Sequence, residues 1–425
     1  MNGFAPEIAH HAALDARMVI AASDIRLLSL ASWPAGREID FVADYARGVA
    51  RLPQIDYPRL DFSDARAELD AIAREADPGH PLGQYLIESA RSWQTAARLC
   101  EVLGTPAVTE LSVQLYGSPF DPLPGDGPDA RVAARHFLSI ADEYDRELIS
   151  PAEQVPISAT ALQLQLQRDL DDYFHERVID VVLDPDLIAK AAAGSTRIRL
   201  RAGAAFSDYD RQQLLQHEAF VHSLTGLNGR QQPVLKSLAL SSPRTTATQE
   251  GLATFAEQIT GAIDIERMKR VSLRIEAVAM ALDGADFVQV FRYFLDAGQD
   301  ETESFSSAQR VFRGVPTAGG HAFTKDVVYL RGLVGVHTYF RWALKTDRLH
   351  LCRQLFAGKM TLEDAVRFEP LFKGEGDAAA VLAPPRWLPR WLSRANGLAG
   401  MLAFSLFANR IRLDAVEEAP LLSPE

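Results

Sequence analysis

The segment Gln216-His217-Glu218-Ala219-Phe220-Val221-His222 carries two imidazoles flanking a carboxylate, the side chains that hold a catalytic zinc ion and activate its water. Its spacing is one residue longer than in the H-E-x-x-H pattern. Histidines four apart differ by about 40° around an α-helix, whereas histidines five apart differ by about 140°. Either the spacing is accidental, or the helix widens into a π-bulge that returns both rings to one side. A third candidate ligand is Glu250 in Thr248-Gln249-Glu250-Gly251-Leu252-Ala253, which opens a second expected helix. Two histidines and one glutamate leave a fourth coordination position for water, as a catalytic site requires. Glu218 follows His217 directly and precedes His222 by one turn, which suits a general base that later serves as acid. Taken singly, these residues are ordinary: a glutamate at a helix N-terminus is common for electrostatic reasons alone.

The elements that must position them are mostly helical. Apolar residues recur at three- and four-residue spacing through Phe41, Tyr45, Val49 and through Leu86, Ala90, Trp93, Ala97. Further helices are expected over Ala130 to Leu148, Ala159 to Glu176, Thr248 to Arg274, Asp286 to Ala297, Lys325 to Lys345 and Thr361 to Arg367. The helix bearing the histidines is expected to start near Ser207-Asp208, with Arg211 where a capping box would place Glu or Gln. Val178 to Leu183 and Thr196 to Arg201 are the clearest strands, the second alternating Ile198 and Leu200 with arginines. Residues 117–129, rich in proline and glycine, must be a loop. The fold class is α+β and predominantly helical, with a small sheet. The expected organisation is an N-terminal extension over 1–36, a helical subdomain over 37–155, a catalytic domain over 156–380 and a C-terminal helical segment over 381–425.

Composition narrows the function classes. A formal charge of -12 argues against sequence-independent nucleic-acid binding, which needs a basic surface. Cys100 and Cys352 form no paired motif, so neither a disulfide framework nor a thiolate zinc site is indicated and a reducing compartment fits. Charged residues interrupt the first 30 positions, and the apolar run 398–408 is about half the length a bilayer-spanning helix needs. A cytoplasmic protein is expected. In the stretch 384–410, tryptophans alternate with arginines, which allows contact with an anionic membrane surface; burial against the catalytic domain is the plainer account. No phosphate loop and no Gly-x-Ser-x-Gly elbow is present.

HEAFVH followed by TQEGLA resembles the QEGLA-motif family of bacterial proteins, related to the microtubule-associated tyrosine carboxypeptidases of animals. Gly226-Leu227-Asn228 with Gln232-Pro233, Arg310 to Gly314, and Gly319 to Gly332 resemble that family's remaining blocks, over roughly residues 170 to 345. The resemblance implies a zincin-like metallopeptidase core that binds zinc (Zn2+) through His217, His222 and Glu250, with Glu218 as base. It implies a peptide or protein C-terminus as substrate, though not which one.

Peptidases of this type need a donor for the tetrahedral oxyanion, and Tyr329 is the first candidate, His321 the second. A carboxypeptidase must also hold a terminal carboxylate; Arg310 and Arg313 could present guanidinium forks, with Lys325 as a point charge. Each has a plainer reading, as a core tyrosine or as arginines on a solvated helix face. The competing functional reading is a non-catalytic, metal-binding regulatory protein on a peptidase scaffold; the presence of Glu218 beside all three ligands counts against it.

Overall fold

The heptad-like spacing of the apolar residues dictates helices, and helices make up 62% of the computed structural model. Residues 4–34, 36–124, 127–148, 156–185, 187, 190–373 and 380–393 are described. The apolar run 398–408 and all of 384–410 beyond Ser393 lie outside them.

Eight helical elements build and support the site. They are α1 (Pro6–Ala22), α2 (Pro81–Glu101), α3 (Ala107–Tyr116), α4 (residues 208–230), α5 (Thr246–Ile259), α6 (Ile265–Leu282), α7 (Glu301–Val311) and α8 (Val328–Lys345). A single apolar cluster runs through all of them, from Ile8 to Leu392. Helix α1, in the stretch expected as an extension, buries Leu14 and Met18. Its Asp15 carboxylate accepts the Ser237 N–H at 3.2 Å and the Ser237 hydroxyl.

Strands β1 (Ile157–Ser158) and β5 (Ala205–Phe206) pair antiparallel. A separate three-stranded sheet has the order β2 (Asp180–Asp184), β4 (Arg197–Arg201), β3 (Ala191–Ala193). β2 runs parallel to β4 with Asp180 opposite Arg197, and β3 runs antiparallel to β4 with Ala191 opposite Leu200. Val181, Ile198 and Leu200 are buried while the alternate arginines face outward, the pattern of a sheet covered on one face. The sheet packs on the helix Ala159–Phe174 and on α4.

Three local expectations change. The helix expected over Thr248 to Arg274 is two helices, α5 and α6. Gly261 turns the chain at φ 69°, and the Asp264 carboxylate then accepts the Arg267 N–H at 2.7 Å as the cap of α6. At the start of α4 the cap is Ser207, one position before the expected Asp208, and Asp210 completes a reciprocal capping box. Lys325 lies in a 3₁₀ turn, Thr324–Val327, which leads into α8.

Two close approaches lock the site-bearing helices. α5 and α8 cross at Gly251 and Gly332: a Cβ on Gly251 would stand 2.1 Å from the Gly332 carbonyl carbon, and one on Gly332 would stand 2.0 Å from Ala247 O. Only glycine permits this separation. At the end of α4, the Asn228 amide donates to Phe356 O and Trp387 O, both at 2.9 Å, and accepts from the Arg386 and Trp387 N–H groups. Gln232 likewise donates to Ala357 O and Ala383 O. The described part of the C-terminal segment is thereby held on the body of the protein, with Trp391 against Phe255 and Phe356. No described helix is long and apolar enough to cross a membrane.

Candidate metal centre

The middle of α4, Leu215–Ser223, is a π-helix between the α-helical turns Asp208–Leu214 and Leu224–Arg230. In a π-turn each N–H reaches five residues back, so residues five apart stack instead of diverging. His217 and His222 are therefore brought together, with ring centroids 4.8 Å apart at 83°. α5 lies alongside and delivers Glu250 between them.

One oxygen of Glu250 organises the cluster. His217 Nε2 is 3.5 Å and His222 Nε2 3.7 Å from Glu250 Oε2. Donors bonded to a tetrahedral ion at about 2.0–2.2 Å are separated by about 3.4 Å, so both spacings match such an edge within a few tenths. Oε2 is buried without a hydrogen-bond partner among the described residues, while Oε1 accepts from Lys325 Nζ at 2.8 Å. An orphaned carboxylate oxygen facing two imidazole nitrogens is a fit for a cation. Among the described residues this is the one group of three or more His, Cys, Asp or Glu side chains that could hold an ion.

The far side of each ring has a partner from α5. His217 Nδ1 meets Glu257 Oε1 at 2.5 Å, which turns its Nε2 toward Glu250. His222 Nδ1 faces Gln249 Oε1 at 3.4 Å, and the Thr225 hydroxyl, which donates to Val221 O at 2.7 Å, lies 3.1 Å from the same oxygen. Glu257 is fully buried and also accepts from the Arg267 guanidinium at 3.3 and 3.4 Å. Such outer partners orient metal-binding imidazoles. Burial alone would lower the His217 pKa, but Glu250 and Glu257 outweigh it and raise it well above the usual histidine value. Burial would raise Glu250; the Lys325 ammonium and both imidazoles instead hold it well below the carboxylate range.

The other candidate residues fall into different places. Glu218 is close to the ligands, its Oε1 4.0 Å from His217 Nε2, and its side chain keeps 19% of its accessible surface. Tyr329 is buried, with the Lys325 ammonium 5.4 Å and the Arg267 guanidinium 5.8 Å from its ring centroid. His321 is half-buried in the loop before Lys325 and, among the described residues, forms no hydrogen bond or ion pair with the cluster. The expected fork of Arg310 is turned inward: its Nε and Nη2 donate to Asp326 at 2.8 and 2.5 Å, because burial demands a counter-charge. Arg313 is close by and has no such partner.

Glu257 was not singled out by sequence, while Gln249, Gly251 and Gly332 entered only as members of the motif blocks, without a role. Glu257 carries a readable signal, since it falls two turns after Glu250 on the same face of α5, an acid within a buried stripe. The role of the two glycines arises only where two helices distant in sequence touch.

The chain matches the microtubule-associated tyrosine carboxypeptidase family over residues 40–410. It belongs to that family. As a member it falls among carboxypeptidases, whose substrates are peptides or proteins. The match takes in α4, α5 and the Lys325 turn, so the cluster described above lies wholly within it. No curated protein matches the chain.

Proposed function

We propose that the chain is a zinc carboxypeptidase with a zincin-like centre, in which His217, His222 and Glu250 hold the ion and Glu218 is the general base. The observation that carries this reading is the convergence of two imidazole nitrogens on a single unpaired oxygen of Glu250, made possible by the π-turn. Zinc bound there supplies Lewis acidity, lowering the pKa of water toward about 7 and polarising the scissile carbonyl.

The chain's own residues do the rest. Glu257 and Gln249 hold the two rings from behind, with Nε2 of each aimed at the ion. Lys325 holds Glu250 Oε1, leaving Oε2 as the ligand atom. Glu218 takes the proton of the attacking water and returns it to the leaving amine nitrogen as the C–N bond breaks. Tyr329 is the proposed donor to the developing oxyanion, and His321 the alternative. The substrate is a peptide or protein C-terminus, drawn toward the cationic wall of Lys325, Arg310 and Arg313.

Elemental analysis tests the ligands, and release of C-terminal residues from a peptide pool tests the chemistry. The wild type is expected to hold about one zinc per chain by the three-ligand rule. Glu250→Ala is expected to lose it, and Glu218→Gln to keep it while losing turnover. Zinc content unaffected by Glu250→Ala would refute the ligand assignment.

A further inference from the structure

The cations beside the metal centre are not equally provided for. Arg267 has Glu257, Lys325 has Glu250 and Arg310 has Asp326. Arg274 and Arg313 have no ion pair or hydrogen bond among the described residues, and the Nε atom of each is buried with no partner. Each residue as a whole is only half-buried, while its Nε atom is out of reach of solvent. An arginine buried without a counter-ion is costly to keep, and this protein keeps two within one cluster.

Their placement relates them to the reaction. Arg274 lies two turns beyond Arg267 on the same face of α6, so it continues the row that begins at Glu257 and passes the Tyr329 ring. Arg313 follows the end of α7, three residues after Arg310. α6 and α7 both pack on the Thr324–Val327 turn that carries Asp326, so Arg274 and Arg313 both lie near the Arg310–Asp326 pair and feel its charges. That wall is continuous with the metal centre, because Lys325 reaches Glu250 from it.

We infer that Arg274 and Arg313, near the Arg310–Asp326 pair, form the receptor for the terminal carboxylate of the substrate. The inference rests on the carboxypeptidase reading and assigns its specificity to a residue, Arg274, that carries no signal in the sequence. The Nε and Nη edge of a guanidinium matches the two oxygens of a carboxylate. Asp326 serves Arg310 and thereby leaves the two nearby guanidiniums for the ligand. Burial lowers the Arg274 pKa to about 9 and that of Arg313 to about 10, each helped down by the Arg310 charge, as expected of cations that lack an anion.

Two measurements test it. The first is thermal unfolding of Arg274→Met and Arg313→Met: cations kept for a ligand cost stability, so both variants are expected to melt at or above the wild-type temperature. A fall of several degrees in both would make them structural and overturn the proposal. The second uses zinc-loaded Glu218→Gln protein and a mixed pentapeptide pool with free C-termini, beside the same pool amidated. The acids are expected to be retained at least about tenfold better, the discrimination a charge-assisted bidentate contact provides. Adding Arg274→Met or Arg313→Met is expected to bring that ratio toward one, and Arg274→Lys to restore it in part. Equal retention of acids and amides, retention of neither, or a ratio untouched by both arginine variants overturns the receptor. Discrimination that persists in a protein whose wild type releases no residue leaves the receptor standing and removes the peptidase reading instead.

Discussion

Gly332→Ala is the sharpest test of how the metal centre is built, because the residue touches none of the ligands. Its added methyl would stand 2.0 Å from Ala247 O and 2.9 Å from Gly251 Cα, both on α5. Ordinary contact needs about 3.5 Å, so α5 and α8 must part by about 1 Å or more. Glu250 rides on α5 immediately before Gly251, whereas its partner Lys325 leads into α8. A metal site tolerates only about 0.2 Å in its bond lengths, so such a shift takes Glu250 Oε2 out of position. Overpacking of this kind costs about 1–3 kcal/mol in stability. The loss of zinc affinity is expected on the order of 10- to 100-fold, as when a ligand loses its support. The assay is competition against a chromogenic chelator, with thermal unfolding in parallel. Gly335→Ala on the same helix is the control, since its methyl would meet Leu362 Cδ1 at 3.4 Å and Pro124 Cγ at 4.0 Å. That variant should bind zinc normally and gain up to about 1 kcal/mol from helix propensity. Unchanged zinc affinity and melting temperature in Gly332→Ala would refute the argument.

Glu257→Gln keeps the shape but removes the charge behind His217; zinc affinity is expected to fall about 10- to 100-fold with secondary structure intact, read by chelator competition and circular dichroism. Glu257→Ala is expected to be worse for folding, because it strands the buried Arg267 charge at a cost of about 3–5 kcal/mol, measurable by denaturant titration. Burial raises the pKa of Asp15 from 3.8 to about 6. The folded state therefore favours the protonated form, and this group's contribution to stability is lost as pH rises from about 4 through 6. At 1.36 kcal/mol per pKa unit the full loss is about 3 kcal/mol, of which about 2.4 falls between pH 4 and pH 7, so the stability of Asp15→Asn relative to wild type should rise by about 2.4 kcal/mol over that range. A difference flat with pH would contradict the assignment.

The part of the site written locally was legible in the sequence. Two histidines five apart around a glutamate pose a geometric problem with one local solution, and the π-turn at Leu215–Ser223 is that solution. Glu250 was legible as a carboxylate on a neighbouring buried helix. What depends on distant contacts was not. Arg310 and Arg313 look alike on paper, yet only Arg310 finds a carboxylate, because the 3₁₀ turn at Thr324–Val327 brings Asp326 to it. Arg274 reads as one more arginine in an amphipathic helix. The break between α5 and α6 was legible, in Gly261 and Asp264, but the apolar period runs across it and masks the stop.

The π-turn also fixes the evolutionary latitude of this helix. Removing one residue between Glu218 and His222 would restore ordinary i to i+4 bonding and the shorter histidine spacing, apparently a harmless simplification. Because five residues of π-turn cover about the angle that four cover in an α-turn, everything downstream would keep nearly the same rotation. Asn228 and Gln232 would still meet the carbonyls of Phe356, Ala357, Ala383 and Trp387 that they now grip. The extra residue is thus a local insertion: a single-codon deletion that repairs the helix changes the metal-binding turn and leaves the tether of the chain's C-terminal segment in place.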